Sequence, residues 1–168
     1  KKGNFVLYHG DLRISDNIKA ALFLIDVYKD SSFKLVIASN NQSSIINEIC
    51  KHQNISFENI DNQEELNALF EKAHINTLIT FQKTGIKLKL LNALYQGKFI
   101  IANTEMIAET GLENLCELAT TKEQILQKTA FLFSKEFPTT EIEKRKVPLK
   151  LFSPNQSAQK IKDIIFKR

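Results

Sequence analysis

The sequence predicts an α/β fold, an open parallel sheet with helices on both faces (a Rossmann-like arrangement) followed by a helical C-terminal tail. Three observations lead there. Short apolar runs of strand length alternate with segments of helical periodicity over residues 4–133. The turns between them are short, which suits right-handed crossovers between parallel strands. Of 168 residues, 43% are hydrophobic and 25% are charged, values ordinary for a globular chain long enough to bury one core.

Each element has its own signal. Asn4-Phe5-Val6-Leu7-Tyr8-His9 is an apolar run stopped by Gly10, the first strand. Ile18, Ala21, Leu22 and Ile25 recur at i, i+3, i+4 and i+7, one buried helix face. Residues 34–38 form the second strand, and Ile45, Ile46, Ile49 and Cys50 mark the second helix. Residues 55–60 alternate as a half-buried strand near a sheet edge does. A third helix buries Leu66, Leu69, Phe70 and Ala73, with Asp61 or Asn62 as N-cap. Then come a strand over 77–81, a helix over 85–96 and a strand over 99–102. Residues 115–119 suit a sixth strand, and a helix runs over about 121–133.

Beyond residue 133 the pattern changes. Pro138, Pro148 and Pro154 punctuate polar stretches, and only 157–168 read as a helix, through Ile161, Ile164 and Ile165. The expected division is a domain over 1–133 and a tail over 134–168, packing on that domain or on a partner domain outside this sequence. The chain opens Lys1-Lys2-Gly3-Asn4 without Met, as a trimmed protein or a piece of a longer one does. No apolar run reaches the roughly 18 residues that span a bilayer. Cys50 and Cys116 sit in apolar patterns and read as reduced core residues of a cytoplasmic protein, with no metal-ligand spacing. The net charge of +4 tilts mildly towards anionic ligands. No nucleic-acid partner is expected.

In an open parallel sheet, ligands bind beyond the carboxyl ends of the strands. Two turns there carry chemistry. In His9-Gly10-Asp11-Leu12-Arg13, Gly10 permits close backbone approach and Arg13 offers a guanidinium fork. In Thr84-Gly85-Ile86-Lys87-Leu88-Lys89, a glycine opens a helix with two lysines in its first turns. Free N–H groups and the positive end of the dipole make such a start an anion site, suited to pyrophosphate. Spacing leaves a plainer reading open: turn glycines, a solvated helix start, Asn92 as a surface residue and His9 as a loop residue. His52 and His74 read as structural.

One stretch resembles a known family. Gly85-Ile86-Lys87-Leu88-Lys89-Leu90-Leu91-Asn92-Ala93-Leu94-Tyr95-Gln96-Gly97-Lys98-Phe99-Ile100-Ile101 looks like the donor-binding signature of group 1, GT-B fold glycosyltransferases. Glu65-Leu66-Asn67-Ala68-Leu69-Phe70-Glu71-Lys72-Ala73 is similar to the helix such enzymes place beside the nucleotide. Phe5 to Leu12 is similar to their first strand and phosphate-facing loop. The resemblance spans about residues 4–133, in order. It implies the C-terminal, donor-binding domain of a two-domain enzyme, with an N-terminal acceptor-binding domain elsewhere in the same protein.

The resemblance also assigns roles. Gly10, Arg13, Thr84, Gly85, Ile86 and Lys87 would hold the donor diphosphate, Asn92 the ribose, and Asn59, Ile60 and Asp61 the base. It names no catalytic residue and implies neither metal nor cofactor, the nucleoside-diphosphate sugar being the substrate. Asn92 and Thr84 stand where the family has glutamates, Asp11 and Asn17 where many members have Arg and Lys, and Phe99 where proline is usual. The expected activity is hexosyl transfer with retention, serving polysaccharide biosynthesis in the cytoplasm and absent from the isolated domain. Replacement of Lys98, at the far end of the helix, is expected to leave nucleoside-diphosphate binding nearly unchanged. The resemblance implies that the basic tail helix crosses to the other domain, with a peripheral membrane contact as the alternative expectation.

Three other classes share parts of this pattern. A non-catalytic nucleotide-binding or scaffolding domain suits the missing carboxylate at Asn92. A phospho-receiver domain lacks its paired acids for magnesium. A dinucleotide-dependent dehydrogenase lacks a glycine-rich fingerprint after the first strand.

Overall fold

The computed structural model describes residues 3–41, 45–82 and 87–152. The chain divides into two compact units, Lys1–Phe137 and Pro138–Arg168. The first holds a six-stranded sheet in which every pairing is parallel. Its strands are β1 (Val6–His9), β2 (Leu35–Ser39), β3 (Ile55–Asn59), β4 (Ile75–Leu78), β5 (Phe99–Ala102) and β6 (Glu117–Leu118), in the order β3-β2-β1-β4-β5-β6. All four residues of β1 and of β4 are buried. A central parallel strand is covered on both faces, so its sequence is a continuous run rather than an alternation.

The helices are α1 (Ser15–Tyr28), α2 (Ile46–Ile49), α3 (Gln63–Lys72), α4 (Leu88–Gln96), α5 (Thr104–Ile107) and α6 (Lys122–Phe133). The chain runs from β1 outward to β3, then crosses back to β4 and runs outward the other way. Right-handed crossovers therefore put α1 and α2 on one face and α3 and α4 on the other. Packing of α1 against α6 and of α3 against α4 agrees. The carboxyl ends of β1 and β4 thus flank the point where the order reverses, with α1 and α4 leaving to opposite faces. The α3 start is capped by the Asn62 side chain, which accepts from Glu65 N at 2.9 Å. A capping box of Thr121 and Gln124 opens α6.

Several expectations need correction. The fourth strand is two residues earlier than the expected 77–81. Ile75 pairs with both Val6 and Phe99, while Phe81 lies beyond the sheet and is 38% exposed. Buried Asn76 and Thr77 disguise that strand in sequence. His9 is no loop residue but the buried last residue of β1, its ring edge against Phe70 at 5.1 Å. Cys50 is exposed at the end of α2, a helix too short to bury it, and Cys116 is half-buried. His74 is structural as read, with Nε2 2.9 Å from the Leu132 carbonyl and its ring stacked on Phe133.

The second unit contains a helix the sequence concealed, α7 (Thr139–Lys150). Its Pro148 reads as a breaker but falls near the C-terminal end. Ion pairs Lys144–Glu141 and Lys146–Glu143, both 2.6 Å and three residues apart, stand in place of an apolar stripe. The expected helix over 157–168 lies outside the described residues. Among the described residues no helix is long and apolar enough to cross a membrane.

Candidate functional site

At the carboxyl end of β1 the chain turns through Gly10 and Asp11 into α1. Gly10 N continues the sheet pairing to Ala38 O at 3.1 Å, and Ser39 Oγ accepts from Leu12 N at 3.2 Å. Arg13 then folds back on Asp11. Its Nε and Nη2 donate to the two carboxylate oxygens at 2.9 and 2.7 Å, and its backbone N donates to Asp11 Oδ1 at 2.9 Å. These bonds hold the Asp11 carboxyl down at about 2, so the pair is fully ionised at neutral pH. The guanidinium fork expected to face a ligand is therefore engaged by a neighbour. The pair is open to solvent, and exposed pairs exchange at little cost.

Asn17, in the first turn of α1, knits this loop together. Its Nδ2 donates to Asp11 O at 2.9 Å, and Tyr8 Oη donates to the Asn17 carbonyl at 3.0 Å. Across the crevice comes Lys89, the second residue of α4. Its Nζ donates to Asn17 Oδ1 at 2.6 Å and lies 5.2 Å from the Tyr8 ring centre. A Cβ on residue 10 would stand 2.7 Å from that ammonium. The space that Gly10 leaves open is thus filled from α4. Burial lowers the Lys89 ammonium from 10.5 to about 8, against the opposing pull of Asp11. Burial, helped by Lys89, brings His9 down to about 3, so this imidazole is neutral at physiological pH. Tyr8 is raised by burial and stays protonated.

The far wall is the segment after β4. Asn103, buried at the end of β5, donates from Nδ2 to Thr80 O at 2.7 Å and accepts from Thr80 N at 3.2 Å. Gln82 Nε2 reaches Asp16 Oδ2 at 2.6 Å, bridging to α1, and Lys87 Nζ donates to Gln82 O at 3.0 Å. Lys19 Nζ sits 4.3 Å from the Phe81 ring centre. Asn103→Ala removes a two-bond latch, each bond worth about 1 kcal/mol. Amide exchange at Thr80 and Gln82 is expected to quicken by tenfold or more while β1 stays protected; unchanged exchange would show the segment held by other contacts.

Of the residues expected at the site, those that are described and follow strands lie along one edge of the sheet. Gly10, Arg13 and Lys87 border the β1–β4 crevice. Thr84, Gly85 and Ile86 lie outside the described residues. The described part of the helix expected over 85–96 begins at Leu88, with Lys87 as its N-cap rather than within its first turn. Asn92 is exposed on α4. Asn59 ends β3 and Ile60 and Asp61 follow it, two strands from β1 along the same edge. There Asn59 Nδ2 donates to Asp61 Oδ1 at 2.7 Å, and Ile60 N bonds Ser39 O. Lys98 lies away from that edge: its ammonium donates to the Glu71 and Ala73 carbonyls at the end of α3, where a cation suits the helix dipole. Asn103 carries no signal in the sequence, and Lys89 stands there only as one of two lysines near the helix start.

A six-stranded doubly wound sheet with cations around its switch point defines a Rossmann-like domain of the kind that binds ligands at its carboxyl edge. The fold is that of GT-B glycosyltransferases. A glycosyltransferase involved in avilamycin A biosynthesis superposes with a TM-score of 0.68 at 14% identity, covering 97% of this chain and 52% of that one. The C-terminal domain of a group 1 glycosyltransferase from Francisella tularensis gives 0.57 at 17% identity, covering 89% and 85%. A UDP-forming α,α-trehalose-phosphate synthase from Burkholderia vietnamiensis gives 0.58 at 10%, covering 88% of this chain and 42% of that one. The chain thus spans about half or less of the avilamycin and trehalose enzymes, and at these identities the likeness is one of fold. No protein-family model and no curated protein matches the sequence.

Proposed function

We propose that this chain is the donor-binding domain of a cytoplasmic glycosyltransferase, holding a nucleoside-diphosphate sugar for hexosyl transfer, with retention, to an acceptor on an N-terminal domain of the same protein. The observation that supports it most is the meeting of Gly10, Arg13 and the α4 start at the switch point of a glycosyltransferase-type sheet. In this reading Gly10, Arg13, Thr84, Gly85, Ile86 and Lys87 take the diphosphate, Asn92 the ribose, and Asn59, Ile60 and Asp61 the base. Arg13 would trade Asp11 for a phosphate oxygen, exchanging one charge-assisted pair for another. The leaving diphosphate would be stabilised by fixed cations and helix N–H groups, without a metal or a further cofactor.

One observation favours a second reading, a nucleotide-binding or scaffolding domain without catalysis. Arg13 is neutralised by Asp11, and the helix carries exposed Asn92 where a carboxylate would grip the ribose more strongly. Thermal shifts of the full-length protein with nucleoside diphosphates and their sugar conjugates, paired with a transfer assay, separate the two. Shifts with turnover mark the enzyme, shifts without turnover mark the scaffold, and no shift overturns both. The 1–168 fragment alone is expected to transfer no sugar, since half the cleft and its water exclusion are missing. Turnover by that fragment would overturn the two-domain reading. The basic tail fits a contact with the N-terminal domain or, peripherally, with a membrane surface.

A further inference from the structure

Lysines ordinarily lay their stems on the protein and leave the ammonium in water. Lys89 does the reverse. Its head turns inward over the β1 turn, into the volume a side chain at position 10 would occupy, and its nitrogen meets Asn17 Oδ1 at 2.6 Å. Asn17 is not oriented at random. Its Nδ2 is bound to the Asp11 carbonyl, which leaves Oδ1 facing the ammonium. Two elements that leave the sheet on opposite faces, α1 and α4, are joined by this one bond across the crevice.

The charge so placed is poorly compensated. Among the described residues no carboxylate lies within ion-pair distance of Lys89, and the Asp11 carboxylate that acts on it from further off is engaged by Arg13. A neutral amide and a tyrosine ring are weak compensation for a cation drawn out of water. His9, beside it, is buried with an Nδ1 that has no hydrogen-bond partner among the described residues. Lys87 differs in its partner: its ammonium donates to the carbonyl of Gln82 at 3.0 Å, on the exposed side of the segment after β4.

We propose that Lys89, held over Gly10 by Asn17, is the principal cation that receives the ligand's phosphate at the β1–β4 switch point. The inference rests on the donor-site reading for the ligand's identity and moves the main charge contact from Lys87 to Lys89. An incoming diphosphate supplies the counter-charge the crevice lacks, and Asn17 keeps the ammonium extended before the ligand arrives. Lys87 is left to a solvent-facing role at the rim.

Labelling identifies the lysine without relying on any substitution. Pyridoxal 5′-phosphate carries both a phosphate and an aldehyde; a neutral amine attacks the aldehyde, water leaves, and borohydride reduces the imine to a stable secondary amine. At pH 8 Lys89 has a large neutral fraction. In the full-length protein the expected product carries the label at Lys89 ahead of Lys87. Inorganic pyrophosphate or a nucleoside diphosphate is expected to suppress it by about tenfold. Protectable labelling at Lys87 in place of Lys89 overturns this inference and leaves the donor-site reading standing. Scattered labelling without protection, together with the absence of any thermal shift, overturns both.

Substitution supplies a second measurement, pyrophosphate affinity. Lys89→Thr is expected to weaken binding by roughly ten- to a hundredfold, the scale of one hydrogen bond to a charged group. The double change Lys89→Thr with Asn17→Lys returns an ammonium to the same place from the opposite wall and is expected to recover most of the loss. Wild-type affinity in Lys89→Thr overturns the proposal, as does a double variant as weak as the single one while its Tm is unchanged.

Discussion

Gly97→Ala is expected to destabilise the fold by about 3 kcal/mol and to lower Tm by roughly 6–12 °C. A Cβ at position 97 would lie 2.4 Å from Asn76 Nδ2, 2.7 Å from the Ala93 carbonyl oxygen and 3.2 Å from Asn76 Cγ. Neither neighbour yields easily. Asn76 is fully buried in β4, and the Ala93 carbonyl already accepts from Gly97 N at 2.8 Å to close the last turn of α4. The added methyl must push α4 off the sheet or force the Asn76 amide aside, and overpacking of this kind is among the costlier single changes. Backbone strain is not the cause: Gly97 has φ −92°, which any residue adopts. Gly10→Ala makes a useful contrast. There the tightest contact, 2.7 Å, is with the flexible tip of Lys89, and Asn17 Cγ and Tyr8 Oη stand at 3.3 Å, so Tm should fall by less than in Gly97→Ala while the ammonium is displaced from the crevice. Denaturation of both variants checks the pair, and an unchanged Tm for Gly97→Ala would show that α4 slides freely on β4.

That steric reason was invisible in the motif, where Gly97 is only a letter before Lys98. What sequence does carry is periodicity. The runs at β1 and β2 and the stripes of α1, α3 and α6 were legible because burial on a sheet imposes them on every residue. The β4 strand was legible only in part, since buried Asn76 and Thr77 look polar and drew the expected strand towards Ile79 and Phe81. Helix α7 was hidden by Pro148 and by charges arranged in pairs instead of an apolar face. At the site, Gly10 and Arg13 stood out because glycine and arginine after a strand are informative by type. The choice between Lys87 and Lys89 was not available from type. Consecutive helical residues are turned by about 100°, so which lysine faces the crevice depends on where α4 begins. The Asn103 latch on Thr80 spans residues with no periodic relation and leaves no mark in the sequence. Nor does the sequence decide whether Arg13 turns to a ligand or to Asp11 two residues before it.

Lys89→Met is expected to raise stability at pH 7 by roughly 2 kcal/mol, about 4–8 °C in Tm, while weakening pyrophosphate binding. The reasoning follows the proton. Unfolded, this ammonium titrates near 10.5; folded, burial brings it to about 8. Below pH 8 both states are charged and the native state bears the cost of drawing the charge out of water. Between 8 and 10.5 the unfolded chain holds the extra proton, so wild-type stability should rise with pH relative to Lys89→Met, and the gap should close above that window. The surrounding groups do not confuse the reading: Asp11 is ionised above about 2, His9 is neutral above about 3, Tyr8 is held protonated by burial, and the guanidinium of Arg13 is raised further by Asp11. Binding should run the other way. Pyrophosphate affinity in the wild type is expected to fall relative to that of Lys89→Arg as pH passes through about 8, since the arginine's charge does not titrate there and the ligand's own ionisation is common to both. A cation kept at a cost in stability and needed for a ligand is the pattern of a functional residue. A structural lysine would behave differently, for Lys89→Met would then lower Tm at every pH and leave pyrophosphate affinity with the same pH profile as the wild type.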